Sequence, residues 1–241
     1  MTHELGSRLP RQENGEENDC EQRARILSNA IAHLPVGSTS LLTNVTWDEY
    51  ETLVAELGDH TPVRVTYYEG RLEAARPNAR HDRLKALLSG LVYIVSEALD
   101  CDLESFGSTT FKLRALTMGV EPDACFYVQN ASRVIGTSDL DLDKDPPPDV
   151  TAEIDVSHVS TTKLVVYAAM KVPEVWRYDG AVSRMVFAHL TEAGYVEIAS
   201  SRAFPLLTSA TLTDFLEKGK KEGQTATLRT FRKWLRDRVS Q

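Results

Sequence analysis

A chain of 241 residues, 42% hydrophobic and 26% charged, is long and apolar enough to bury the core of one globular domain with short attachments. No apolar run approaches the roughly 18–20 residues of a membrane span, the N-terminus lacks the apolar stretch of a secretory signal, and three scattered cysteines (Cys20, Cys101, Cys125) have no CxxC spacing, so a cytoplasmic protein with reduced thiols is expected. The net charge of −8 argues against a protein that coats nucleic acid nonspecifically, although Lys218–Arg238 hold eight bases against two acids.

Residues 1–22, with six acids and two bases, read as a disordered acidic tail. CEQRARILSNAIAHL follows as a short amphipathic helix. In TWDEYETLVAELGD, Thr46 and Glu49 have the spacing of a capping box that opens a second helix. PVRVTYYEGRLEAARP alternates about Glu-Gly as a β-hairpin. HDRLKALLSGLVYIVSEALD carries the broad apolar stripe of a helix packed on a sheet.

LESFGSTTFKL and VEPDACFYV read as strands, the second entered through Pro122. A polar, proline-rich loop (QNASRVIGTSDLDLDKDPPP) leads to the strand DVTAEIDV, then to the helix STTKLVVYAAMK, capped by Ser160 and closed by Pro173. PEVWRYD is a further strand and MVFAHLTEAGYVEIA a hairpin. TLTDFLEKGKKEGQTATLRTFRKWLRDRV forms two helices parted near Gly219–Gly223. This order predicts an α/β (α+β) domain with a mixed sheet over residues 23–216, and a basic helical extension over 217–241. Tyr67, Tyr68 and Trp176 are expected in the core or on strand faces.

The chemistry concentrates in DVTAEIDVSHVSTTK. Alternation along a strand puts Val150, Ala152, Ile154 and Val156 on one apolar face, and Thr151, Glu153, Asp155 and Ser157 on the other. A helix packed over the sheet leaves those acids partly desolvated, and nearby carboxylates repel unless a proton or cation sits between them. Hard oxygen ligands then favour Mg²⁺ or Mn²⁺. The same pattern also suits an ordinary surface strand. Asp123, thirty residues before Glu153, adds a second strand-borne acid, and Asp on one strand with Glu-x-polar on the next is the layout of the PD-(D/E)XK nuclease core. A competing Pro148–Asp149 lies on the same strand as Glu153, so Asp123 is the favoured ligand and Asp149 is expected to cap the strand entry.

Three stretches, RVTYYEGRLEAARPNARHDRL, GSTTFKLRALTMGVEPDACFYV and DPPPDVTAEIDVSHVSTTKLVVYAAMKVPEVWRYDG, resemble the bacterial Uma-two family of restriction-endonuclease-like proteins, a branch of the PD-(D/E)XK superfamily. The resemblance runs co-linearly from about Thr46 to Leu216, and the tail GQTATLRTFRKWLR is similar to an extension of one subgroup. It implies Asp123 and Glu153 as metal ligands, with Asp155, a further candidate ligand, standing where E-x-K would place a lysine. It also implies that the lysine role has moved to Lys163, at the family's basic position before L-x-x-Y. Glu69 and His81 fall at polar family positions; Glu69 is a further candidate ligand, with Glu73 as the alternative, while His158 matches nothing.

The implied activity is a Mg²⁺- or Mn²⁺-dependent DNA endonuclease, working as the homodimer common among nucleases of this superfamily that cut both strands. The alternatives are a nuclease-fold binding or regulatory protein without catalysis, and a small-nucleotide phosphodiesterase. The apolar residues of the last helix (Leu228, Phe231, Trp234, Leu235, Val239) suit packing against a second subunit, and its arginines suit phosphates.

Overall fold

The computed structural model describes residues 14–58, 61–155 and 161–239. In chain order the elements are α1 (Asn14–Ala32), β1 (Thr39–Leu42), α2 (Trp47–Leu57), the hairpin β2 (Arg64–Tyr68) and β3 (Arg71–Ala75), and α3 (Ala79–Ala98). Then come β4 (Phe111–Leu113), β5 (Met118–Val120), β6 (Ala124–Phe126), α4 (Ala131–Val134), β7 (Val150–Asp155) and α5 (Thr161–Ala169). The chain closes with β8 (Glu174–Asp179), β9 (Arg184–Thr191), β10 (Gly194–Ile198), α6 (Ser209–Glu222) and α7 (Gln224–Val239).

The strands form two five-stranded sheets rather than one. The first, in the order β1-β3-β2-β5-β4, is antiparallel throughout. The second, β10-β9-β8-β7-β6, is mixed: β7 and β8 run parallel because α5 carries the chain back between them, and the other pairs are antiparallel. α1 and α2 cover the outer face of the first sheet around Tyr50, Leu53, Tyr67 and Leu72. α3, α6 and α7 cover one face of the second sheet, where Ala152, Ile154 and Trp176 meet Leu88, Phe215 and Phe231. α5 covers its other face and touches both sheets, with Val166 and Tyr167 packed against Cys125, Val175, Phe111 and Val120.

Local signals behave as the sequence dictates. Thr46 and Glu49 form the reciprocal capping box of α2, and the β2–β3 turn places Glu69 (φ 47°) and Gly70 (φ 75°) in the left-handed region that a two-residue hairpin needs.

Four expectations require correction. VEPDACFYV is not one strand but two, β5 in the first sheet and β6 in the second, with Glu121–Asp123 crossing between them; Pro122, lacking an N–H, suits that break in the ladder. LESFGSTTFKL is strand only at Phe111–Leu113, with an isolated bridge from Glu104 to Tyr127. α1 starts at Asn14, inside the stretch that reads as a tail, since extending a helix already anchored by packing on α2 costs little.

The fourth concerns the C-terminus, where the boundary at 216–217 falls within α6, although the two helices do part within the expected Gly219–Gly223. A Cβ at Gly219 would lie 2.1 Å from Leu87, so the glycine permits the close crossing of α3 and α6; the break comes at Gly223. Phe231 and Leu235 of α7 are buried in the chain's own core with α3 and α6, which takes the apolar face expected to meet a second subunit.

Candidate active site

β6 and β7 pair Ala124 with Ala152, and the same register carried one step further sets Asp123 opposite Glu153. Directly opposed residues of an antiparallel pair point to the same face, here the face covered by α5. Both acids are buried, each 5% exposed. The alternation read from the sequence holds on β7, but the acid face is far drier than partial solvation implied, because α5 and the first sheet close over it.

Lys163 stands in the first turn of α5, its Nζ 2.6 Å from Glu153 Oε2 and 3.2 Å from the Glu121 carbonyl oxygen. One turn further, the Tyr167 hydroxyl donates a short hydrogen bond to Glu153 Oε1. Asp123 Oδ2 accepts from the Ile154 N–H at 2.7 Å and lies 2.9 Å from His81 Nε2. His81 is seated in the first turn of α3, which Asn78 caps, and its Nδ1 is 3.2 Å from Asp82. Asp155, at the end of β7, has Oδ2 3.7 Å from Arg177 Nε.

These contacts set the charges. Burial pushes the Glu153 carboxyl up to about 7, against the pull of Lys163 and with a further push from Asp123. Burial likewise raises Asp155 to about 7, opposed by Lys163 and Arg177. For Asp123 burial acts upward, but the His81 hydrogen bond and the charges of Lys163 and His81 hold it below the usual carboxylate range. Burial disfavours the Lys163 cation, yet Glu153 and Asp123 outweigh that and hold its pKa above the ordinary value. The His81 pKa is raised for the same reason: burial lowers it, and Asp123 and then Asp82 more than compensate.

Asp123, Glu153, Asp155, Lys163 and His81 line one cleft with a cavity of about 80 Å³, joined there by Arg64, Glu73 and Arg76. Of the two hairpin acids, Glu73 on β3 reaches this cleft, while Glu69 is exposed in the β2–β3 turn and is absent from its lining. Asp149 binds the Val128 and Asn130 N–H groups at 2.7 and 2.9 Å, tying down the loop before α4. His158 and Ser160 lie outside the described residues.

Sequence reasoning passed over Tyr167 and the role of His81. The spacing of Lys163 and Tyr167, four apart on a helix and hence on one face, was the available signal for the first. Nothing local marks His81, because only the packing of α3 on the second sheet brings it over Asp123.

The donor set facing the cleft is oxygen, as hard cations require. Among the described residues no group of three or more His, Cys, Asp or Glu side chains is arranged to hold a metal. Asp123 and Glu153 are the carboxylates in the cleft that could offer oxygen to a hard cation.

A family model described as "Putative restriction endonuclease", Uma2, matches residues 47–219. Among solved structures, the chain is similar to a "putative nuclease belonging to DUF820" from Anabaena variabilis, at 16% identity and a TM-score of 0.49 over 71% of this chain and 99% of that one. No curated protein matches the chain.

Proposed function

The chain belongs to the Uma2 family, and from that premise we propose that it is a nuclease that hydrolyses DNA phosphodiester bonds with Mg²⁺ or Mn²⁺ held by Asp123 and Glu153, with Asp155 beside them. The observation that carries this reading is that Asp123 and Glu153, one step beyond the Ala124–Ala152 pair of β6 and β7, line one cleft with the Lys163 ammonium 2.6 Å from Glu153. A bound divalent ion supplies an activated water and neutralises charge on the phosphate and leaving oxygen. Lys163 faces the same cleft and is positively charged, so it stabilises the charge that builds on the phosphate during attack. It does from α5 what the superfamily lysine does from the strand, where this chain has Asp155. His81 and Tyr167 fix the two carboxylates in position, and Arg64 and Arg76 give the cleft wall affinity for a polyanion.

The test is incubation of the full chain with plasmid DNA, single-stranded DNA and RNA in Mg²⁺ or Mn²⁺. Cleavage of DNA that stops with chelator and is absent from Asp123→Ala and Glu153→Gln is expected. No cleavage of any of them, together with Mn²⁺ binding unchanged by Asp123→Ala in calorimetry, overturns the proposal.

A binding protein that keeps the fold without cleavage is the second reading, favoured by the closed Glu153–Lys163 pair. It expects DNA retention that neither Mg²⁺ nor Glu153→Gln alters.

A further inference from the structure

A second cleft of about 400 Å³ lies beside the carboxylate cleft, and Arg64 lines both. Arg64 alternates on β2 with the core residues Val65 and Tyr67, so its side chain leaves on the opposite face of the sheet, toward α5. Its Nε is buried and, among the described residues, has no hydrogen-bond partner. Glu121 also joins the two spaces: its carbonyl oxygen accepts from Lys163, while its side chain lines the larger cleft and accepts from Thr110 Oγ1 at 2.7 Å.

The walls of the larger cleft are hydroxyl-rich, with Thr61, Ser108, Thr109 and Thr110, and carry one aromatic ring, Phe106. Ser108 Oγ accepts from Lys85 at 3.4 Å and Thr61 Oγ1 from the Val63 N–H at 3.4 Å, bonds that use oxygen lone pairs and not the hydroxyl protons. Donors and acceptors mixed around one ring suit the edge and face of a nucleobase. The carboxylates of Glu121 and Asp139 in the same wall disfavour a phosphate there.

We propose that this cleft seats the base of an unpaired nucleotide next to the scissile phosphate, with the Arg64 guanidinium on the phosphodiester that joins the two clefts. The proposal rests on the nuclease reading for the identity of its neighbour. The smaller cleft, at about 80 Å³, is too small for a base, whereas the larger one, at about 400 Å³, has the volume for it. A planar, forked guanidinium at the junction matches a phosphodiester in two hydrogen bonds. A substrate whose base enters this cleft has left its stack, so single-stranded or locally opened DNA is preferred over a regular duplex.

The experiment uses full-length Glu153→Gln protein and single-stranded oligodeoxynucleotides with 2-aminopurine placed at successive positions. Emission that changes at one position, and no longer does so when Ser108→Phe fills the cleft, is expected. In the cleaving protein, Arg64→Gln raises KM by about tenfold, the scale of one lost base or phosphate contact. Circular dichroism of both variants separates loss of fold from loss of the subsite. Cleavage that persists with emission indifferent to Ser108→Phe overturns the subsite and leaves the nuclease reading intact. A cleft-dependent signal in a protein that never cleaves does the reverse. An oligonucleotide that does not bind overturns the subsite.

Discussion

The two faces of β7 are both buried, but by opposite means. Val150, Ala152 and Ile154 meet apolar side chains from three helices, and beside them Trp176 stacks on Phe187 with ring centroids 4.6 Å apart. Glu153, one residue from each of Ala152 and Ile154, is as enclosed as they are, and is held by Lys163 and Tyr167. The dry face is held mainly by close packing of apolar side chains, and the indole N–H of Trp176 donates to the buried Glu174. The charged face is tolerable because each ionised group has an opposite charge or a hydrogen bond, and it stays tolerable only while the set is complete. The same strand thus supplies the core from one side and the candidate site from the other.

The largest effect is expected from removing the anchor of the dry face. Trp176→Ala is expected to destabilise the fold by about 3–5 kcal/mol, the range for large aromatic deletions, out of a total that for most domains is about 5–15 kcal/mol. Urea unfolding followed by circular dichroism measures it. A loss much below 1 kcal/mol would mean that the second sheet does not depend on this face.

Nearly as large an effect is expected on the charged face, with a different signature. Glu153→Leu leaves the buried Lys163 ammonium without its carboxylate and is expected to cost about 3–5 kcal/mol, and Lys163→Met similarly strands Glu153. The double variant removes both charges and is expected to recover most of the loss, so the two changes are strongly non-additive. On the proposed nuclease activity, cleavage is expected to be lost in all three. Trp176→Ala and Glu153→Leu together, on opposite faces, provide the contrast of near-additive losses. Unfolding of all the variants under one set of conditions decides it; additivity of Glu153→Leu with Lys163→Met would mean that the two side chains do not act as a pair.

How much of this was legible follows the same division. The dry face was readable because alternation and helical stripes are local patterns: Ile154 and Leu88 announce their orientation through their neighbours. Asp123, Glu153 and Lys163 were readable as a constellation because the co-linear resemblance supplied the partners that spacing does not. What was hidden depends on tertiary packing. VEPDACFYV has strand composition throughout, and nothing local says that it crosses from one sheet to another at Pro122. Glu69 and Glu73 have equal claims until the hairpin register sends one to the turn and the other to the cleft. His81 looks like a capping-region residue, and it is one, but the docking of α3 also sets it against Asp123.

The two faces also differ in pH dependence, because Glu153 and Asp155 on the charged face titrate near neutrality. Glu153 and Asp155 have folded pKa values near 7, above those of exposed carboxylates, so between the ordinary carboxylate range and pH 7 the folded chain binds more protons than the unfolded one. Stability of the metal-free protein is therefore expected to fall as pH rises through that window and to level off above it. His81, whose pKa is also raised, acts in the same direction as it loses its proton. On the proposed metal binding, added Mn²⁺ would compete with the proton and is expected to lift stability most at the alkaline end. Thermal melting across pH, with and without Mn²⁺, checks this; a melting temperature that rises with pH in the metal-free protein overturns it.

The smallest effect separates the faces most cleanly, because each carries a buried tyrosine bonded to a glutamate. Tyr167 donates to Glu153 on the charged face, and Tyr178, on the dry face, donates to Glu217 at 2.5 Å. Replacing either by phenylalanine removes one hydroxyl and little volume, with an expected loss of about 1–2 kcal/mol in each case. The consequences for titration differ. The Tyr167 hydrogen bond stabilises the ionised form of Glu153 and opposes its burial, so Tyr167→Phe moves the Glu153 pKa further up, and the pH at which cleavage develops rises with it. Glu217 also gains the Lys220 ammonium and lies away from the carboxylate cleft, so Tyr178→Phe lowers stability and leaves the pH profile of cleavage where it was. A profile shifted equally by both substitutions would place the cause in the stability of the second sheet; a shift confined to Tyr167→Phe places it in the carboxylate that this tyrosine holds.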